Sequence, residues 1–293
     1  MYLKHAKRLY ATAANNGNYC LELVRKHDFD HYLCTLLLPK EVQSAVFAIR
    51  AFNVETAQIR ELVTEKATGK MRVQFWRDSI DAIYKEPPKH PVAVTLATAV
   101  GRYKLSKLWF SRLLDSREAN LSLSHYSSTR ELEDYSENTF SSLLYLTLEA
   151  MGVRSVAADH ACSHLGKAEG ICTVLRAAAY HRTQRCVFVP MDIIMRHGAS
   201  QESFIRAEET SNQSVHNAVY DFASLGHTHL LKARSLGNKL DSMVTRALLP
   251  AVLCEDFLTR LQREDFNIFE PKLSQRNPKM PLRLLWKYFS HQY

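Results

Sequence analysis

The chain has 293 residues and a formal net charge of +8, from 38 Lys and Arg against 30 Asp and Glu. Apolar residues make up 46% and charged residues 23%, which excludes a disordered or collagen-like chain. Only nine Gly and nine Pro are present, so tight turns are few, and the composition disfavours a β-sandwich or barrel and favours long helices. The positive balance suits an anionic partner such as phosphate, an acidic membrane or nucleic acid, without choosing among them.

The cysteine spacing and the hydropathy exclude further classes of protein. Six cysteines lie at wide spacings with no CxxC pair, which argues against zinc ribbons, thioredoxin-like motifs and a dense disulfide framework. A reducing compartment fits this pattern. No run of 18 or more apolar residues occurs, so no segment is predicted to span a bilayer.

The first residues carry a targeting pattern. Lys4, Lys7 and Arg8 precede the first acidic residue, Glu22, and Leu3, Ala6, Leu9 and Tyr10 could line one side of a short helix. A basic, acid-free, amphipathic start is typical of a mitochondrial transit peptide. Residues 1–15 are therefore a candidate transit segment, with a basic tail as the alternative.

Apolar residues recur at helical spacing through most of the chain. No alternating strand pattern and no internal repeat is visible, and the linkers are short, so residues 16–293 are predicted to form one compact all-α domain. The predicted helices cover residues 39–65, 71–85, 92–103, 106–120, 131–151, 156–181, 191–196, 201–206, 215–236, 249–262 and 281–290.

Histidines at helical spacing raise the question of a metal site. His160 and His164 are four residues apart, which places both imidazoles on one helix face. A third ligand is missing, because Asp159 is poorly placed for it, so we predict two partly exposed histidines rather than a zinc site. A nucleic-acid interface is not predicted either, since no basic stripe is interleaved with aromatic residues.

Two helical segments carry a more specific pattern. Residues 46–61 are VFAIRAFNVETAQIRE, and residues 166–181 are GKAEGICTVLRAAAYH, followed by VFVP at 187–190. Together they resemble the squalene/phytoene synthase family, whose enzymes join two isoprenoid diphosphates head to head. Supporting matches lie at 37–39, 132–135 and 249–251. The resemblance spans residues 18–289 and implies the all-α isoprenoid synthase fold.

The resemblance also implies where a metal site would lie. The family holds magnesium with two pairs of acidic residues, each pair four residues apart, and magnesium prefers such oxygen ligands. In this chain the first pair falls on Ala57 and Glu61 and the second on Ala177 and His181. Other family site positions fall on Arg50, Val54, Gly170, Thr173 and Arg176, and Arg176 keeps the family residue.

Three of the four acidic residues are thus replaced, so we expect a retained fold without the synthase reaction, no metal and no other cofactor. Residues 51–58, 137–149 and 187–193 resemble one eukaryotic branch of the family, the assembly factors of mitochondrial complex I, the NADH:ubiquinone oxidoreductase. This implies a matrix-side protein, peripheral to the anionic inner membrane, that meets complex I subunits or assembly intermediates early in building the membrane arm.

Three alternatives stay open. The chain could be a prenyl-diphosphate transferase with an unusual metal site, a prenyl-lipid carrier that keeps the old cavity, or a purely protein-binding scaffold. The small residues Gly166, Gly170, Thr173 and Ala177 form one face of their helix. Such a face fits either close helix packing or an apolar cavity.

Overall fold

The computed structural model describes residues 2–63, 65–85, 89–206 and 212–293, with side chains from Asn15 onward. This part of the chain is helical and contains no strand, which confirms the predicted all-α class. None of its helices combines the length and hydropathy needed to cross a membrane. All six cysteines are free thiols.

Contacts between residues group the chain into two compact units. The sequence analysis predicts one domain over residues 16–293. The first unit comprises residues 1–122 and 142–155, and the second comprises residues 123–141 and 156–293. The helices of the first unit are α1 (Tyr2–His27), α2 (Phe29–Leu36), α3 (Lys40–Ala57), α4 (Ile59–Leu62), α5 (Lys66–Ile83), α6 (Pro91–Tyr103), α7 (Lys107–Asn120) and α9 (Ser142–Ala150).

The second unit is built around two long helices that pack along each other, α10 and α14. Its helices are α8 (Thr129–Ser136), a π-helical turn (Glu137–Ser141), α10 (Val156–Arg176), α11 (Ala178–Thr183), α12 (Met191–Arg196), α13 (Gln201–Ile205), α14 (Gln213–Ser235), a 3₁₀ turn (Gly237–Lys239), α15 (Ser242–Ala247), α16 (Pro250–Arg263), α17 (Pro271–Ser274) and α18 (Met280–Phe289).

Helix α3 lies at the centre of the first unit, where it packs against α1, α6 and α9. Phe52 on α3 is fully buried, and its ring makes edge contacts with Trp76 and Phe110, with ring centroids 5.3 and 5.4 Å apart. Burying such aromatic side chains is among the largest contributions to core stability. Most of the first family motif therefore lies on a helix whose inward side chains form part of the core of this unit.

Three predicted helices are interrupted in the structure. The one predicted over 131–151 contains the π-helical turn, the one over 39–65 breaks after Ala57, and the one over 156–181 breaks after Arg176. The helices α2, α15 and α17 were not predicted from the sequence, and of α1 only a short helix carrying residues 3–10 was suggested. Residues 1–15 fall mostly outside the described side chains, so the transit segment stays a prediction, as does the domain start at residue 16.

Candidate functional site

The first family motif places Arg50, Val54 and Ala57 along α3. Arg50 is only 4% exposed, and its guanidinium Nη1 lies 3.9 Å from Oδ2 of Asp28. The other carboxylate oxygen of Asp28 shares a hydrogen bond of 2.6 Å with Nδ1 of His31. Arg50 therefore belongs to a buried charged cluster inside the first unit, which the family pattern does not indicate.

The first acidic-pair position retains one carboxylate. Ala57 is the last residue of α3, and its methyl group cannot bind a metal. Glu61 lies beyond the break, on the short helix α4, and is exposed. Its backbone N–H donates to the carbonyl of Gln58 at 3.1 Å, three residues back, so the helix tightens between the two positions.

The second family motif lies at the end of α10. Thr173 is partly buried and Arg176 is exposed at the last turn of the helix. Ala177 stands between α10 and α11, and its carbonyl accepts a hydrogen bond of 2.9 Å from the backbone N–H of His181. The second pair therefore offers one imidazole and no carboxylate.

The small-residue face of α10 is closely packed at two of its positions. A Cβ on Gly170 would lie 1.9 Å from Oγ and 2.7 Å from Cβ of Ser136. A Cβ on Gly166 would lie 2.5 Å from the backbone nitrogen and 2.8 Å from Cα of Ser141. These are shorter than van der Waals contact, so at both positions the neighbouring helical segment fills the space and leaves no room for a ligand.

His181 lines a shallow cleft of about 260 Å³, a volume that includes space open to solvent. The enclosed part has room for about one water molecule. The His181 ring packs edge-on against Phe188, with centroids 4.6 Å apart, and the guanidinium of Arg182 lies 4.7 Å from the ring centre of Phe269. Sites for small molecules are usually larger and more enclosed.

The side chains at the family's acidic positions do not fit a magnesium cluster. Magnesium requires hard oxygen ligands, whereas alanine provides none and imidazole nitrogen suits softer ions. Within the described ranges, no three His, Cys, Asp or Glu side chains are grouped so that they could hold a metal ion. The four positions therefore supply one carboxylate and one imidazole, which are too few oxygen ligands for the family's metal cluster.

A polar chain in the second unit was not predicted from the sequence. The Nε2 of His229 lies 3.1 Å from Oε1 of Glu133, and its Nδ1 lies 3.0 Å from Nδ1 of His164. His164 thus pairs with His229 on α14, and it is partly buried, whereas His160 on the same helix as His164 is exposed. Periodicity gives no signal for this chain, because its members come from α8, α10 and α14.

The histidine chain shifts the pKa of its members. The hydrogen bond from His229 lowers the pKa of Glu133, against the opposing effect of burial. Burial lowers the pKa of His164, and the nearby charges of His229, Lys232, Lys167 and His160 lower it further. His164 therefore resists protonation in the folded protein.

This lowered pKa predicts a pH-dependent stability. The unfolded chain binds a proton at His164 before the folded protein does, so we expect the free energy of unfolding to fall as the pH decreases through about 6.5. Glu133 affects the stability only at lower pH. Its contribution to the free energy of unfolding is lost as the pH falls below the ordinary glutamate pKa of about 4.5 and through the lowered pKa of the folded protein. Urea unfolding between about pH 7.5 and 5.5 should give a shallower pH slope for His164→Gln than for the wild type.

The exposed His227, on α14, provides the matched control. His227→Gln should keep the wild-type slope. An unchanged slope in His164→Gln would show that the histidine pair does not couple folding to pH.

Comparisons with known proteins agree with the architecture. The sequence profile of the squalene/phytoene synthase family matches residues 24–283. A human protein named NADH dehydrogenase (ubiquinone) complex I, assembly factor 6, is 52% identical over 93% of this chain and 81% of its own length. The rat protein of the same name is 50% identical over 99% of this chain and 89% of its own length.

A solved structure shows the same fold. The crystal structure of a dehydrosqualene synthase in complex with ligand superposes with a TM-score of 0.83 over 96% of this chain and 98% of that chain, at 16% identity. At this identity the match supports the fold alone. The profile match and the high identity to the human and rat proteins together decide the family: the chain belongs to the squalene/phytoene synthase family.

Proposed function

We propose that this chain is an assembly factor for mitochondrial respiratory complex I that uses the prenyl synthase fold without its reaction. The observation that carries the proposal is the identity of about half of all residues to proteins named complex I assembly factor 6, over nearly the whole chain.

The chemistry of the site supports a non-catalytic role. Ionisation of a prenyl diphosphate creates a strongly anionic leaving group whose charge must be compensated in the transition state. Of the four positions that would hold the metals, only Glu61 offers a carboxylate, and it is exposed on a short helix. Losing a single stabilising donor commonly costs about 10²–10³ in rate, so the loss of most metal ligands should abolish the reaction.

The protein would act on the matrix side, peripheral to the inner membrane, at an early step in building the membrane arm. Its partners would be complex I subunits or assembly intermediates. The net charge of +8 supports contact with an anionic membrane surface. Peripheral attachment agrees with the helices described, none of which is suited to span a bilayer.

The proposal predicts the outcome of a rescue experiment. Cells that lack the chain should lose complex I on native gels, and the wild type and Glu61→Ala/His181→Ala should restore it equally. The destabilised variant Gly166→Ala, described in the Discussion, serves as a control that should restore less complex I, because a loss of stability lowers the amount of folded protein in the cell. Intact complex I in cells without the chain would overturn the assembly role.

The non-catalytic part has its own test. A double variant that is folded and imported but inactive in rescue would mean that the old site still binds or transforms a ligand. In addition, the purified protein should release no pyrophosphate from farnesyl or geranylgeranyl diphosphate with Mg²⁺. Release that disappears in Glu61→Ala, together with a product that joins two prenyl chains, would establish a working transferase. A prenyl chain that co-purifies with the protein would establish a carrier.

A further inference from the structure

Helix α18 presents a continuous apolar stripe to solvent. Leu282 is 70% exposed, and Trp286 and Phe289 are each 74% exposed, with Leu285 at 39% beside them. The four side chains follow the spacing i, i+3, i+4 and i+7, which places them on one face of the helix. Soluble proteins rarely leave so large a contiguous apolar surface uncovered without a use for it.

The opposite face of α18 is firmly attached to the second unit. Met280 and Leu284 are buried, and the helix packs on α16. Arg283 forms ion pairs with Asp256 and, at 3.6 Å, with Glu255, both on α16. The stripe is therefore held outward by a fixed helix, and turning it inward would break these contacts.

The charged side chains in and around α18, over residues 271–293, are all positive. From residue 271 to residue 293 the chain contains no Asp or Glu and five Lys or Arg, namely Lys272, Arg276, Lys279, Arg283 and Lys287. Lys272 and Arg283 pair with acidic residues of neighbouring segments. Lys279 is exposed and Lys287 is partly exposed, and neither forms an ion pair within the described part of the chain. The positive charges of Lys279 and Lys287 therefore attract an anionic surface.

We propose that α18 is the element that contacts the membrane, with its apolar stripe inserted at the headgroup boundary of an anionic phospholipid bilayer. Helices that lie in this boundary combine Leu, Phe and Trp on one face with Lys and Arg elsewhere. Tryptophan in particular favours the membrane–water interface. The inference rests on the membrane contact proposed above and assigns that contact to residues.

Trp286 provides a direct signal for the test, because Trp76 is buried and Trp109 is partly buried. Adding vesicles of phosphatidylcholine and cardiolipin to the full chain should shift the tryptophan emission to shorter wavelength. Vesicles with brominated acyl chains should quench it. Vesicles of phosphatidylcholine alone should bind more weakly, and raising the salt concentration should weaken binding to the anionic vesicles.

Variants of α18 separate the apolar and the electrostatic contributions to vesicle binding. Leu282→Ser/Phe289→Ser should weaken vesicle binding about tenfold or more. The matched control Val156→Ser/Met195→Ser removes apolar side chains of similar exposure, 72% and 69%, away from α18, and should bind as the wild type. Lys279→Gln/Lys287→Gln should weaken binding to anionic vesicles about tenfold or more.

Two outcomes would overturn the inference. The first is that the wild type fails to bind anionic vesicles. The second is that Leu282→Ser/Phe289→Ser binds them as the wild type does. If that variant binds vesicles normally but fails to restore complex I in cells, the stripe contacts a protein partner instead of the membrane. Vesicle binding is measured without complex I, so its failure leaves the assembly role standing. Likewise, a chain found dispensable for complex I would still bind vesicles through α18.

Discussion

Replacing Gly166 with alanine is expected to lower the free energy of unfolding by about 3 kcal/mol, because the added methyl group meets backbone atoms that cannot move aside. The nearest of these are the nitrogen and Cα of Ser141, at 2.5 and 2.8 Å from the position of the new Cβ. Urea unfolding followed by circular dichroism measures the change. Gly101→Ala is the matched control, since Gly101 is also helical but has no atom within 4 Å of the new Cβ. That variant should gain about 0.5–1 kcal/mol from helix propensity.

The two close glycines should respond differently to a second substitution. At Gly170 the nearest obstacles are Oγ and Cβ of Ser136, which Ser136→Gly removes. Gly170→Ala/Ser136→Gly should therefore recover part of the stability that Gly170→Ala loses. Ser141→Gly should not rescue Gly166→Ala, because there the backbone is in the way. Equal rescue at both positions, or a Gly166→Ala variant as stable as the wild type, would contradict the packing described for α10.

These contacts bear on the prenyl-carrier alternative. A carrier needs open volume beside the old motif, but at Gly166 and Gly170 the segment from Ser136 to Ser141 occupies the face of α10. The cleft beside His181 encloses room for about one water molecule. On α10, the small residues Gly166 and Gly170 thus serve helix packing.

Much of the fold could be predicted because the helices are long and periodic. The predicted helix 191–196 has the bounds observed for α12, and most long helices end within about two residues of their predicted ends. Helices of four to eight residues such as α2, α15 and α17 were missed, since they give too few repeats to detect. Most of α1 was also missed, although it is the longest helix. The π-helical turn (Glu137–Ser141) continues the helix with one extra residue in a single turn, and 131–151 was therefore predicted as one helix.

The sequence predicts which residues occupy the family's site positions, but it predicts their spatial arrangement less well. Family motifs locate Ala57, Glu61, Ala177 and His181, but the expected spacing of four assumes unbroken helices. The structure breaks the helix near Gln58 and again at Ala177. The chain from Glu133 through His229 to His164 and the partner of Arg50 depend on contacts between distant segments, which a single sequence does not reveal.

Asp28→Asn is expected to destabilise the protein by about 3 kcal/mol, because it removes the carboxylate that pairs with the buried guanidinium of Arg50. Arg50→Met should cost less, since it keeps apolar volume and Asp28, with 19% of its side chain exposed, retains its hydrogen bond to His31. The double variant should lose less than the sum, with a coupling energy of about 1 kcal/mol or more from urea unfolding. The exposed pair Arg25 and Glu22, 3.3 Å apart on α1, is the control and should couple by less than about 0.5 kcal/mol.

The sign of the Arg50 effect also separates the two roles open to this family position. A cation that serves to bind a diphosphate commonly costs stability, so its removal would leave the protein as stable or more stable. A cation that serves the fold through Asp28 makes its removal destabilising. A loss of stability in Arg50→Met, with coupling to Asp28, would mean that the charge at this old substrate position now holds α3 to the chain segment before α2, as expected for a synthase fold retained without its reaction.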